Sequence, residues 1–192
     1  NFYKLRWVIT NTAGITIDSD TIGINSLVLQ RNNQSLTLDG SFSNQDEHHL
    51  NLLFKDIDLD ELSDFVLEVP LEGKLNASGF IATPFNKFQF SGAANILQFK
   101  IKKQLVGDIN LNSNWVGSNK SIALNGDLVY KGNQTFEFVG DYYPQKEKNN
   151  LDFNLVFDYT DIQFVNAFLN PEILSEIKGL LKGQLKVSGS PD

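Results

Sequence analysis

Apolar and polar residues alternate with a period of two along most of this chain, and that alternation decides its fold class. Consider six runs: Leu36–Phe42, Leu50–Phe54, Ile109–Trp115, Ile122–Tyr130, Phe136–Tyr142 and Leu151–Tyr159. Counted from the first residue of each, the odd positions number 25, and 21 of them are large apolar or aromatic. The exceptions are Gly40, Ser113, Gly126 and Gly140. Of the 19 even positions, only Leu53, Ala123, Val129, Val139 and Val156 are apolar. A helix repeats every three to four residues and gives no such pattern, whereas a strand sends successive side chains to opposite faces. The runs are strands with one dry and one wet face, the signature of an antiparallel sheet. Loop signals at Gln30–Gln34, Val116–Lys120 and Tyr130–Gln134, with a longer charged loop at Pro144–Asn150, separate them. The spacing predicts a meander of about a dozen short strands.

Composition narrows the function classes. Hydrophobic residues make up 41% of the 192, and 15 residues are Phe, enough for a sizeable buried surface. The net charge is −7 with Lys and Arg scattered, which argues against nucleic acid and against electrostatic docking on an anionic membrane. Absence of cysteine removes disulfides, zinc–thiolate sites and thiol nucleophiles, and fits a periplasm or a cytosol. Absence of Met at position 1 gives the expectation of a fragment or a processed chain. The sequence shows no signal peptide and no apolar run long enough to span a bilayer.

Two segments break the alternation. Asp58–Val69 places Leu59, Leu62, Phe65, Val66 and Val69 at helical spacing, with Asp58 and Glu61 resembling a capping box. In Asp161–Leu181, Phe164 and Phe168 share a face. Asn170-Pro171 then starts a second helix with a stripe of Ile173, Leu174, Ile177 and Leu180. Glycines inside the alternating runs (Gly40, Gly73, Gly79, Gly92, Gly126, Gly140, Gly183, Gly189) read as bends of a curling sheet, with no binding role.

No constellation supports catalysis. His48 and His49 are adjacent and would point opposite ways in an extended chain, so a solvated loop is the better reading than a metal site with Asp46 or Glu47. The acidic cluster Asp56, Asp58, Asp60, Glu61 and Asp64 lacks the Gly and Glu of a calcium loop, and helix capping accounts for it better. Zincin, phosphate-loop and nucleophile-elbow motifs are absent from the sequence. Trp7 and Trp115 fall in alternating runs as core or groove residues. The expectation is a non-enzyme with no metal and no cofactor.

The chain repeats itself. Leu71-Glu72-Gly73-Lys74-Leu75-Asn76-Ala77-Ser78-Gly79 returns as Leu181-Lys182-Gly183-Gln184-Leu185-Lys186-Val187-Ser188-Gly189. Each phrase follows two strands and a helical segment, which gives repeat-like units at about 36–84 and 136–191 joined by strands over 85–135. The whole, 1–192, reads as one stretch of a repetitive β array, a design that presents long surfaces.

The phrase Gly73 to Gly92, with its Gly-x-Leu start, Ser78-Gly79 and following Pro84, resembles the repeating phrase of TamB-family proteins. The order of strand pair, Asp-rich short helix and Gly-x-Leu is similar to the wider AsmA-like group. The Asn- and Lys-rich composition resembles the Bacteroidetes-type version. The resemblance covers about Leu27 to Pro191. It implies a mainly β fold: a long curled antiparallel sheet, the β-taco or trough, with short helical inserts near 58–69 and 161–181. It implies a periplasmic location, with an inner-membrane anchor in a segment absent from this fragment. It implies a part in phospholipid transport between the two membranes and in outer-membrane protein assembly and secretion. The implied partners are phospholipid acyl chains or nascent β-strands, and an Omp85-type outer-membrane protein met through regions outside this fragment.

The dry face is the candidate functional surface. By alternation alone it reads as the core of a closed β-sandwich, an extracellular or periplasmic binding or adhesion module. With the repeat and the resemblance it reads as an apolar groove. Its residues are Leu36, Leu38, Phe42, Leu50, Leu52, Phe54, Phe88, Phe90, Ile109, Leu111, Trp115, Ile122, Leu124, Leu128, Phe136, Phe138, Phe153, Leu155 and Phe157.

Overall fold

A computed structural model describes residues 6–43, 48–60, 70–82, 89–167 and 177–190. The described strands are β1 (Val8–Ile9), β2 (Gly14–Ile17), β3 (Thr21–Arg31), β4 (Gln34–Ser43), β5 (His49–Asp58) and β6 (Leu71–Ala82). They continue with β7 (Gln89–Ile101), β8 (Gln104–Val116), β9 (Ser121–Tyr130), β10 (Asn133–Tyr142), β11 (Leu151–Asp161) and β12 (Leu180–Gly189). All belong to one 12-stranded antiparallel sheet, and from β3 onward each strand lies beside its sequence neighbours. β1 and β2 share the outer edge of β3. β12 forms the opposite edge, so the sheet is curled and open. The expected meander and fold class are what the chain forms. The closed two-sheet core, the other expectation for the dry face, is not.

The ladders thread single rows of side chains across the whole sheet. One row runs Leu27, Leu38, Leu52, Gly79, Gly92, Ser113, Leu124, Gly140, Phe153, Val187. The next row on the same face runs Leu29, Leu36, Phe54, Ala77, Ala94, Leu111, Gly126, Phe138, Leu155, Leu185. Cross-strand neighbours of this kind are the units that stabilise a sheet. The opposite face is wired by amides. Asn95 donates to Asn110 (2.9 Å), Asn110 to Asp127 (3.0 Å), and Asn112 to Asn125 (3.2 Å). Ion pairs Lys100–Glu72 (2.9 Å) and Lys186–Asp152 (3.1 Å) join it.

A recurring bulge bends the sheet. On β3, β5, β7 and β11 the ladder skips from Ile24 to Leu27, Phe54 to Ile57, Ile96 to Phe99 and Phe157 to Thr160. The second of the two inserted residues has positive φ each time: Ser26 (48°), Asp56 (52°), Gln98 (51°) and Tyr159 (51°). Facing each insert is one residue of the next strand: Asp39, Asn76, Asp108 or Lys182. In three of the four, that side chain accepts the exposed backbone N–H of the bulge residue. Ser26 donates to Asp39 (2.8 Å), Asp56 to Asn76 (3.0 Å) and Gln98 to Asp108 (2.7 Å). At the fourth, Lys182 pairs with Asp158 (2.8 Å) and lies over the Tyr159 ring (4.5 Å). A bulge increases local twist and bends its strand. Repeated along strands that run the same way, it accounts for the curl. The bends expected at glycine therefore centre on Ser26, Asp56, Gln98 and Tyr159, with glycines such as Gly40 and Gly107 flanking the capping residues.

The helical expectations are met only in part. Most of 58–69 lies outside the described residues; Asp58 closes β5, and Leu59–Asp60 begin a helical turn. In 161–181, Asp161 ends β11, and a single 3-10 turn spans Gln163–Ala167. Phe168, Asn170-Pro171, Ile173 and Leu174 lie outside the described residues. Leu180 and Leu181, placed at the end of a helix by spacing, open β12 instead. Pairing with Asp161 and Thr160 outweighs the local helical pattern there.

Candidate functional site

Every described residue of the candidate groove stands in these rows or continues them along its strand. Leu36 faces Phe54, Leu38 faces Leu52, Leu50 faces Ile81 and Phe90 faces Ile81. Ile109 faces Leu128, Leu111 and Phe138 flank Gly126, Trp115 faces Ile122, and Leu124 faces Gly140. Phe136 faces Phe157, Phe138 faces Leu155, and Phe153 faces Gly140. Phe42 joins through Ile22. Phe88 lies outside the described residues. The face also takes in Tyr142 and Leu151, which the six runs contain but the groove set left out, and Leu27, Leu29, Leu75, Ile81, Ile96, Leu185 and Val187, which lie outside those runs.

Burial divides this face in two. At one end of the strands, Ile101, Val106 and Leu128 are 6%, 9% and 6% exposed, and Phe164 of the 3-10 turn packs on them with Leu71, Phe99, Ile109 and Phe136. This is a small sealed core. Across the rest of the face the groove residues are half-buried, Leu50 (4% exposed) excepted. Each is shielded by its row neighbours and by the curl, while among the described residues no second sheet faces them. Aromatic rings cluster on the β10–β11 flank, with Phe136 and Phe157 centroids 4.9 Å apart and Phe138 and Phe153 6.3 Å apart.

Between the large side chains lies a floor of small ones. Ala77, Gly79, Gly92, Ala94 and Ser113 occupy adjacent row positions on β6, β7 and β8. Leu52 and Phe54 wall them on one side and Leu111, Ile81 and Phe90 on the others. The result is an open apolar recess of about 430 Å³, within the roughly 300–1,000 Å³ of small-molecule sites. Gly79 is required by packing: a Cβ there would lie 2.4 Å from the Ser91 carbonyl oxygen and 2.8 Å from Gly92 Cα. Gly79 and Gly92, given no binding role in the sequence, thus form part of the floor of this recess. The signal was present, since Ala77, Gly79, Gly92 and Ala94 keep the phase of the alternation, but size, not polarity, carries it.

Of the ionisable candidates, His48, His49 and Asp58 have structural partners, and Asp46 and Glu47 lie outside the described residues. His48 Nδ1 lies 2.7 Å from Ser43 Oγ, while His49 packs its ring edge-on to Phe80 (5.6 Å). Asp58 pairs with Lys74, accepts from Gln34 Nε2 (3.1 Å), and gives its own N–H to Gln34 Oε1 (3.0 Å). Asp56 sits in a bulge rather than a helix cap. Glu61 and Asp64 lie outside the described residues. Among the described residues no three His, Cys, Asp or Glu are grouped to hold a metal ion, and no helix is long and apolar enough to cross a membrane. No family model, no curated protein and no solved structure matches this chain.

Proposed function

We propose that this chain is a periplasmic segment of a TamB/AsmA-like envelope protein whose dry face carries phospholipid acyl chains between the inner and outer membranes. The observation that carries this reading is a continuous apolar face, ten strands wide, left open by a sheet whose two edges do not meet. A large exposed apolar patch is uncommon on a protein that keeps to itself. The residues act collectively: each CH₂ buried contributes about 0.8 kcal/mol. Rows of Leu, Phe, Ala and Gly, interrupted only by Ser113 in the two central rows, offer little that would fix a tail in one register, which suits sliding. The small-residue recess gives a tail its closest approach to the backbone. In this reading the anchor and the contact with an Omp85-type partner belong to other parts of the protein, and the same surface serves outer-membrane protein assembly.

Photo-crosslinking amino acids at Leu52, Leu124 and Phe153, in the full-length protein in cells, test it. Phospholipid adducts at all three sites, with none at wet-face Asn51 or Asn125, are the expected result. Intact expression without lipid adducts at any of them overturns the proposal.

A further inference from the structure

Two neighbouring hairpins at the sealed end of the sheet turn on residues poorly suited to their backbone. β7 and β8 are joined by a two-residue loop, Lys102-Lys103, closed by the Ile101–Gln104 pair. Both loop residues have positive φ (48° and 70°). β9 and β10 are joined by Lys131-Gly132 (52° and 80°), closed by the Tyr130–Asn133 pair. Such loops favour Asn-Gly, because a side chain is strained at positive φ and Asn tolerates it best. The chain uses that chemistry itself in the β3–β4 loop, where Asn32 has φ 52°. The internal contacts of these loops do not call for lysine. Lys102 gives its backbone N–H to the Pro70 carbonyl (3.0 Å), a bond that Asn would make equally. None of the three ammonium groups forms an ion pair among the described residues, and Lys131 lies over the Tyr130 ring (5.1 Å).

All three lysines are exposed, and they flank an exposed apolar side chain. The β8–β9 register pairs Asp108 with Val129; continued outward, it brings Leu105 level with Gly132. Leu105 is 45% exposed, while the adjacent Val106 is turned into the sealed core. β8 and β9 lie side by side, so the two tips are two strand spacings, about 10 Å, apart across the sheet. No Asp or Glu occurs from Ile101 to Gly107 or from Leu128 to Phe136. The whole-chain charge of −7, which argues against a membrane surface, is therefore not local to these loops. At physiological salt, exposed charges beyond about 8 Å are largely screened.

We infer that these two hairpin tips dock on a bilayer surface that carries anionic phospholipid. The lysine ammonium groups meet the lipid phosphates, and Leu105 enters the boundary between headgroups and acyl chains. The leucine between the lysines selects this occupant over a soluble polyanion, which offers Leu105 no apolar surroundings. Backbone strain at Lys102, Lys103 and Lys131 is retained for binding. The inference concerns the hairpin tips and stands independently of what the dry face binds.

Co-sedimentation of the 192-residue chain tests it, with vesicles of equal parts phosphatidylglycerol and phosphatidylcholine and with vesicles of phosphatidylcholine alone, at physiological ionic strength. Binding to the mixed vesicles only is expected. Lys131→Asn should weaken it about fivefold, and Lys102→Asn with Lys103→Gly about fivefold for each lysine lost. Lys120→Asn makes the same change at nearly the same φ (50°) at the opposite end of the strands, and should leave binding unchanged. Because Asn and Gly suit these loops, the lysine variants should resist urea at least as well as the parent, which separates lost binding from lost folding. Leu105→Ser should weaken vesicle binding about fivefold. A parent chain that ignores the mixed vesicles overturns the inference, as does a loss with Lys120→Asn equal to that with Lys131→Asn. Equal binding to phosphatidylcholine alone also overturns it, because the apolar face rather than the lysines is then the contact. So does binding of dextran sulfate as tight as that of the mixed vesicles, since the occupant is then a soluble polyanion.

Discussion

Leu124 and Leu128 are the same residue type, four positions apart on the same face of β9, and they should respond very differently to truncation. Leu128 is 6% exposed and belongs to the sealed end, packed with Ile101, Val106 and Phe136 beneath Phe164. Its replacement by Ala removes buried methyl groups and leaves a cavity, a combination that costs roughly 2–4 kcal/mol in such cores. Leu124 stands half-buried between Ser113 and Gly140 in the open part of the face. Only part of its surface leaves water on folding, and the truncated site opens to solvent rather than forming a void. At about 25 cal/mol per Å² the loss is about 1 kcal/mol or less. Urea unfolding of L124A and L128A, followed by tryptophan fluorescence, measures both, and equal m-values would show that the unfolding is comparable. A cost for L124A equal to that of L128A would mean that something seals the face at Leu124. The open trough would then be refuted.

Three further outcomes follow from the geometry. Asp39→Ala removes the acceptor of the Ser26 N–H (2.8 Å) and Oγ–H (3.0 Å) and should cost about 1–2 kcal/mol in urea unfolding, while Asp39→Asn retains most of the stability. Thr160→Val should cost about 1–3 kcal/mol by the same assay, because the 1%-exposed Thr160 hydroxyl donates to the Thr135 carbonyl, which the variant leaves unsatisfied. Ala94→Phe projects a ring into the 430 Å³ recess without the backbone conflict found at Gly79. It should abolish phospholipid adducts at Leu52 while leaving the circular dichroism spectrum unchanged.

The alternation in the sequence carried the sheet and its two faces because every groove residue within an unbroken run keeps one phase. The bulges were hidden for the same reason. On β3 the dry positions are Ile22 and Ile24, then Leu27 and Leu29; on β7 they are Ala94 and Ile96, then Phe99 and Ile101. Each bulge slips the phase by one residue, so a strict two-residue count ends the strand where it bends on β3, β5 and β7, and on β11 runs into the bulge and takes Tyr159, 59% exposed, for a dry position. Nothing about Ser26, Asp56, Gln98 or Tyr159 signals positive φ, since their conformation is set by the residue on the next strand. The β7–β8 turn was equally opaque. Lys102 and Lys103 both take positive φ (48° and 70°) without the Asn or Gly that usually marks such a turn. The recess escaped because small residues add little to an apolar count, and their effect emerges only when Gly79 meets Gly92 and Ala77 meets Ala94 across strands.

Trp115 tests the central claim most directly. It lies on the dry face opposite Ile122, and the chain's other tryptophan is Trp7. In a Trp7→Phe chain, fluorescence comes from Trp115 alone, and phospholipids with brominated acyl chains quench only a tryptophan that touches them. Saturable quenching by brominated phospholipid, abolished by unlabelled phospholipid in excess and weakened by Leu124→Asp, is the result expected of an open lipid-binding trough. Unchanged Trp115 emission at saturating lipid would contradict it.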